Sequence, residues 1–115
     1  MKAEIRVCFV ELLEKDGREI LVAVVTRGGR WVDGVLCKYI SKPSEAADAI
    51  AESKYFEELS VLIVPREHVE FFQRLEGVEI YSRDDFPREL TPAVKLGGLI
   101  ANRVAEYLAR KNLIP

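Results

Sequence analysis

Histidine occurs once in the chain, as His68, and cysteine twice, as Cys8 and Cys37. That shortage excludes whole classes of chemistry. Zinc sites need cysteines and histidines at short, paired spacings, and neither C-x-x-C nor any Cys/His pairing is present. No serine or cysteine nucleophile motif accompanies His68, so a lone histidine of this kind reads first as a surface residue. Both cysteines sit inside apolar, strand-like runs and read as small buried hydrophobes rather than a disulfide or a ligand pair. Glycine-rich phosphate loops are missing as well, since neither G-x-G-x-x-G nor P-loop spacing occurs. No apolar run approaches the ~20 residues of a membrane span. The opening "MKAEIRVCFVELLEKDG" flanks a short apolar stretch with charges and lacks a small-residue cleavage site, so no signal peptide is expected. The expectation is a cytoplasmic protein with no membrane partner.

Amides and methionine are scarce too: one glutamine (Gln73), two asparagines and one methionine, against 31% charged residues. That balance leans towards thermophilic proteins, in which ion-pair networks replace heat-labile side chains. The net charge is −2 at pH 7. No global field therefore attracts nucleic acid, although a local patch remains able to bind it.

What is present is enough for one domain over residues 1–115. Domains commonly run ~100–150 residues, and a chain of this length buries on the order of 65% of its unfolded surface. The 49% hydrophobic content supplies the core. Apolar residues predominate from Ala3 to Leu13, and Asp16-Gly17 then forms a hairpin-type turn. Ile20–Val25 is continuously apolar, as in a strand buried on both faces. Gly28-Gly29 make a second turn, and Trp31–Ile40 a third strand. The period then changes. Ser44 is the expected cap of a helix with Ala47, Ile50, Ala51, Tyr55 and Leu59 on one face. Val61–Val64 is a short buried strand, and Pro65 opens a second helix facing inward through Val69, Phe72 and Leu75. Gly77 ends that helix, and Val78–Tyr81 is the fifth strand. Thr91-Pro92 are the expected cap and first position of a last helix, with Leu96, Ile100, Val104 and Leu108 in line. Arg110 and Lys111 complement its dipole.

A meander followed by two crossover units predicts an α/β fold with a mixed five-stranded sheet of order 3-2-1-4-5 and three helices. Strand two is antiparallel to its neighbours, and strands four and five are parallel to strand one. This is a ribonuclease-H-like layout.

Within that layout, "VVTRGGRWVDGVLCKYI" followed by "SEAADAIAESKYFEELSVLIV", Val24 to Val64, resembles an uncharacterised archaeal family related to endonuclease V. The double glycine with "WVDGVL" carries the resemblance, and "TPAVKLGGLIANRVAEYLA" adds a looser one. The resemblance implies magnesium or manganese held by acidic residues on the first strand and at the end of the fourth. This chain departs from that pattern. Its fourth strand ends "VLIVPREH", with Pro65 where an aspartate is expected, and proline has no oxygen to offer a metal. The first strand, "EIRVCFVELL", has no aspartate either, and Glu11 is the residue that would occupy the position. The chain is also short for the family.

Three functional expectations follow. The first is a catalytically degenerate endonuclease-V-like domain, without metal or cofactor, that binds a protein partner or a second copy of itself. Its interface residues are Trp31, Tyr39, Gly97 and Gly98. Trp31 and Tyr39 lie on an apolar edge strand, and paired glycines in a helix, each costing ~1 kcal/mol against alanine, imply a close approach by another element. The second is a divalent-metal nuclease using Glu11, Asp33, Asp84 and Asp85, although Asp33 followed by Gly34 inside a strand marks a bulge more often than a site. The third is an anion or small-molecule site formed by Arg66, Glu67, His68, Arg83, Asp84 and Asp85. That group lies at the carboxyl ends of strands four and five, where open α/β sheets take their ligands.

Overall fold

The computed structural model describes residues 5–111. Five strands form one mixed sheet: β1 (Arg6–Lys15), β2 (Arg18–Arg27), β3 (Trp31–Ile40), β4 (Val61–Val64) and β5 (Glu79–Ser82). Their order is β3-β2-β1-β4-β5. Antiparallel pairing joins β2 to β1 and to β3, while β4 runs parallel to β1 and to β5. The order and directions agree with the sequence reading. The reason is local. Asp16 and Gly17 both adopt positive φ, 54° and 77°, the conformation of the tight turn that forces an antiparallel return. The parallel strands, in contrast, are reached through helical connections.

Side chains alternate across the sheet, so each strand feeds two cores. One face carries Cys8, Val10, Leu21, Ala23, Val25, Leu62 and Val64 and packs against α1 (Glu45–Ala51) and α2 (Val69–Phe72). The other carries Val7, Phe9, Ile20, Val22, Val24, Val61 and Ile63 and packs beneath α3 (Thr91–Lys111). Each fully buried valine, leucine or isoleucine contributes about 1.5–3 kcal/mol, so the three-layer arrangement is held chiefly by β1, β2 and β4. The cysteines fall on opposite faces, Cys8 buried in the α1 core and Cys37 half-buried against the α3 core. Burial pushes the Cys8 thiol up to about 12 and raises Cys37 as well.

The helices differ from expectation in length and facing. α1 stops at Ala51, and Phe56–Glu58 forms a separate 3-10 turn, so Tyr55 and Leu59 lie beyond it. Ser44 precedes α1 but makes no side-chain cap; the Glu45 carboxylate instead accepts from the Ser41 backbone N–H at 2.9 Å. α2 has one turn, preceded by a 3-10 turn at Arg66–His68, and Leu75 lies outside it. Thr91 is not a cap, because a 3-10 turn at Arg88–Leu90 leads into α3 and the Thr91 hydroxyl donates back to the Arg88 carbonyl at 2.6 Å. At the far end of α3, Lys15 donates to the Leu108 carbonyl at 2.7 Å, bringing a charge from β1 to the negative end of the helix dipole.

The inward row of α3 is Ala93, Gly97, Ala101 and Leu108, flanked by Val94, Ile100 and Val104; Leu96 is not part of it. Gly97 is buried against its own sheet. A Cβ there would stand 2.5 Å from the Phe9 Cβ, and one at Gly98 would stand 3.6 Å from the Phe9 Cζ. The close approach expected at Gly97 and Gly98 therefore serves the fold of one chain, which removes Gly97 from the interface residues. No helix among the described residues is long and apolar enough to cross a membrane.

Candidate functional site at the carboxyl edge of the sheet

Asp33 answers to the structural reading. Val25 pairs with Gly34 and Thr26 with Val32, leaving Asp33 as the extra residue of a β-bulge. The bulge turns its carboxylate towards two arginines, Arg27 on the adjacent β2 and Arg6 on β1 beyond it. Arg6 Nε donates at 2.9 Å and Arg27 Nη2 at 2.9 Å, and Arg6 also reaches Glu58 at 3.1 Å. Partial burial pushes the Asp33 carboxyl upward, but the hydrogen bonds and charges of Arg6 and Arg27 outweigh it and hold the group below the usual carboxylate range. This clamp lies at the start of β1. Glu11 is five residues further along the strand, roughly 16 Å away at ~3.3 Å per residue. The acids of the nuclease expectation are thus not brought together: Asp33 is at one end of the sheet, while Glu11, Asp84 and Asp85 are at the other.

At the carboxyl end the expected residues do converge. β1 and β4 run in register through Phe9 and Ile63, which brings Glu11 to the level of Pro65 just past the last residue of β4. On the other side of β4, the Arg83 N–H donates to the Val64 carbonyl at 3.0 Å, extending the β4–β5 ladder by one bond and fixing where the Arg83 side chain starts. That side chain crosses β4. Its Nη1 donates to Glu11 Oε2 at 2.9 Å, and its Nη2 donates to the Val10 carbonyl at 2.9 Å. The guanidinium carbon lies 5.1 Å from the centre of the Phe9 ring, a cation–π contact. Charge-assisted bonds of this kind are among the stronger ones, so Glu11 is held by a fixed cation.

Glu11, Leu12, Pro65, Arg66, Glu67, His68, Arg83 and Asp84 line a recess of about 100 Å³. Of these Pro65 is buried, while Arg66, Glu67 and Asp84 are exposed. The His68 ring stacks on Phe71, with centroids 5.6 Å apart. Two buried polar atoms here have no hydrogen-bond partner among the described residues, His68 Nδ1 and Arg83 Nε. Asp85 is exposed and turned back onto β5, its N–H donating to the Ser82 carbonyl at 3.2 Å, and does not line the recess. No group of three or more His, Cys, Asp or Glu placed to hold a metal ion occurs among the described residues.

Arg66, Glu67, His68, Arg83 and Asp84 are therefore neighbours, as the sequence reading expected. The reading missed the pairing of Arg83 with Glu11, 72 residues apart, and the Arg6 and Arg27 clamp on Asp33. Of the interface residues, Trp31 is 56% exposed on the β3 edge, and Tyr39 is half-buried under the Arg18 guanidinium at 5.0 Å.

No protein-family model matches the chain, and no curated protein matches it. Among solved structures, the chain is similar to a protein of unknown function from Archaeoglobus fulgidus DSM 4304, with 18% sequence identity and a TM-score of 0.47 over 74% of this chain and 57% of that one. It is also similar to a chain in the cryoEM structure of the simian T-cell lymphotropic virus intasome in complex with PP2A regulatory subunit B56 gamma, with 12% identity and a TM-score of 0.46 over 100% of this chain and 44% of that one. The matched part is less than two thirds of either chain's length.

Proposed function

We propose that this chain is a ribonuclease-H-like domain, of the endonuclease-V-like kind its sequence resembles, that acts by binding and assembly rather than by hydrolysis. The observation that carries this reading is the Arg83 guanidinium on Glu11 at 2.9 Å. Two-metal hydrolysis needs several carboxylate oxygens converging on ions ~4 Å apart. At this edge Glu11 of β1 is bound to an arginine, and the adjacent position after β4 is a proline. A metal ion would have to displace a cation already anchored to the Val10 carbonyl and the Phe9 ring. Titration calorimetry with Mn²⁺ tests the reading. The expected result is no micromolar binding; micromolar binding that is lost in Glu11→Gln would restore the nuclease.

The assembly half of the reading is supported by β3. This strand is an edge, paired on one side to β2, and it exposes Trp31 (56%), Val32 (41%) and Val35 (40%). Edge strands of this character are commonly guarded by charge or proline, and here Lys38 is the one exposed charge within the strand. A two-fold pairing of β3 edges would bury the patch on both copies at once. Sedimentation at micromolar concentration is expected to give twice the chain mass, falling to the monomer in Trp31→Lys. A monomer mass in the unaltered chain refutes the pairing.

A further inference from the structure

We propose that the trough between α3 and β3 docks an amphipathic helix of another protein, apolar on one side and acidic along its flank. The inference rests on the binding-domain reading above and names the kind of partner. Its starting point is where the exposed apolar side chains lie. Apart from Trp31, the large exposed hydrophobics among the described residues are Val32 (41%), Val35 (40%), Leu99 (50%) and Tyr107 (47%). Val35 pairs with Val24, and Val32 with Thr26. Directly paired residues share a face of the sheet, and Val24 belongs to the core beneath α3. Both valines therefore stand on the α3 side.

α3 packs over β1 and β2, and the exposure of Val32 and Val35 shows that it does not cover this part of β3. Phe9 sets the orientation of the helix. A Cβ at Gly98 would meet the far end of that ring, which also lies against Arg83, reaching from beyond β5 across β4. The Gly98 flank of α3 thus faces β4. Tyr107 stands about 180° round the helix from Gly98, with Leu96 and Arg103 within about 40° of it. That flank faces β3. Val35 is level with Phe9 across the sheet, and so with Gly97. Tyr107, ten residues on, lies about 15 Å further along. With α3 between β1 and β2, β3 runs roughly 7 Å to the side of the helix axis, since strands are ~4.8 Å apart. Packed helices stand about 8–10 Å apart. The trough is one helix wide.

Charge selects the partner. α3 spans four basic residues and one acidic residue, Glu106. Residues 41–78, which carry α1 and α2 across the sheet, have four basic and eight acidic. Positive charge is therefore concentrated on the α3 side of a chain whose net charge is −2. Arg103, and Arg110 two turns on, are exposed and make no ion pair among the described residues. Carboxylates on a partner helix meet these arginines while its apolar side fills the floor, as in helix-in-groove recognition. A second copy supplies no such helix. Its α3 would set Arg103 and Arg110 against their own kind, and its α1 and α2 turn Ile50 and Phe72 onto the sheet. Pairing of β3 edges places a strand beside β3, in the plane of the sheet, and leaves Leu99 and Tyr107 uncovered above it.

The test is a fluorescence-anisotropy titration of the full chain into a labelled peptide of about five helical turns, with leucines along one side and glutamates beside them. The same peptide with lysine for glutamate is run in parallel, and vesicles of phosphatidylcholine and phosphatidylglycerol are assayed by co-sedimentation. The glutamate peptide is expected to bind saturably, about tenfold more tightly than the lysine peptide. Amide NMR signals of Val35, Leu99 and Tyr107 are expected to shift with it. Tyr107→Ala and Arg103→Glu, both at exposed positions, are each expected to weaken binding about tenfold. No saturable binding, equal binding of the two peptides, or tighter binding to the anionic vesicles overturns the proposal. So does binding that both variants leave unchanged. Failure of the peptide in a chain that takes no Mn²⁺ removes this inference alone. Mn²⁺ binding at Glu11 removes the binding-domain reading on which it rests.

Discussion

Gly97→Ala is expected to destabilise the protein by about 2 kcal/mol, whereas Gly98→Ala, one residue along, is expected to stabilise it by roughly 0.5–1 kcal/mol. In an exposed helix the two changes would act alike, because alanine is the better helix former by ~1 kcal/mol. Phe9 separates them. A Cβ on Gly97 would meet the Phe9 Cβ at 2.5 Å and its Cγ at 3.0 Å. The Cβ is the root of the side chain, on a strand held between β2 and β4, and no rotamer change moves it away. The strain must be taken up by lifting α3, and overpacking of this kind typically costs 1–3 kcal/mol. A Cβ on Gly98 meets only the far end of the ring, at 3.6 Å and 3.8 Å, which is ordinary contact. Chemical denaturation of the two variants measures the contrast. Equal stabilities would mean that α3 does not depend on close approach to β1. The consequence reaches the recess, because the ring that α3 presses on also lies under the Arg83 guanidinium.

Gly97 also shows where the sequence stops being legible. A search for apolar side chains at helical spacing selects Leu96, Ile100, Val104 and Leu108. Of these, Ile100, Val104 and Leu108 do pack on the sheet, but the row of closest approach is Ala93, Gly97 and Ala101, because the helix must come close to Phe9 and large side chains would hold it off. The strands were easier to read. Asp16-Gly17 and Gly28-Gly29 specify returns by backbone conformation alone, and all four residues adopt positive φ. A continuous run such as Ile20–Val25 has only one place in a sheet, between two others and under both cores. Short helices carry no comparable local signal, so α1 and α2 end where tertiary packing ends them.

The site divides in the same way. That Arg66, His68 and Arg83 gather at one edge follows from strand order, since residues just past parallel strands share an end of the sheet. That Arg83 reaches across β4 to Glu11 does not follow from order. It requires the directions of two side chains on non-adjacent strands, and nothing within either segment encodes the partner. For Asp33 the bulge was readable from Asp-Gly inside a strand, whereas the arginines that fix its carboxylate come from β1 and β2.

Phe72→Ala is expected to have the largest effect on stability, about 3–5 kcal/mol, from a protein whose total stability is of the order of 5–15 kcal/mol. Phe72 is fully buried, the largest side chain in the core with no exposure. It sits in α2, a helix of four residues. A segment that short has no stability as an isolated helix, so its place on the sheet depends on what it buries. Beside Phe72, the inward groups of this segment are Val69 and Phe71, both only partly buried. Removing the phenyl ring therefore costs more than a cavity: it releases the segment that follows Pro65 and carries His68. Two readouts separate these effects. Denaturation gives the global loss. Amide hydrogen exchange is expected to show residues 66–75 losing protection well before β1 and β2, because weakly anchored segments open locally before the whole fold does. Should protection instead fall uniformly across the sheet and α2 together, Phe72 would be a component of the common core and not the anchor of the recess. A variant such as Phe72→Leu, which keeps most of the buried volume, is expected to restore most of the stability and the slow exchange at His68.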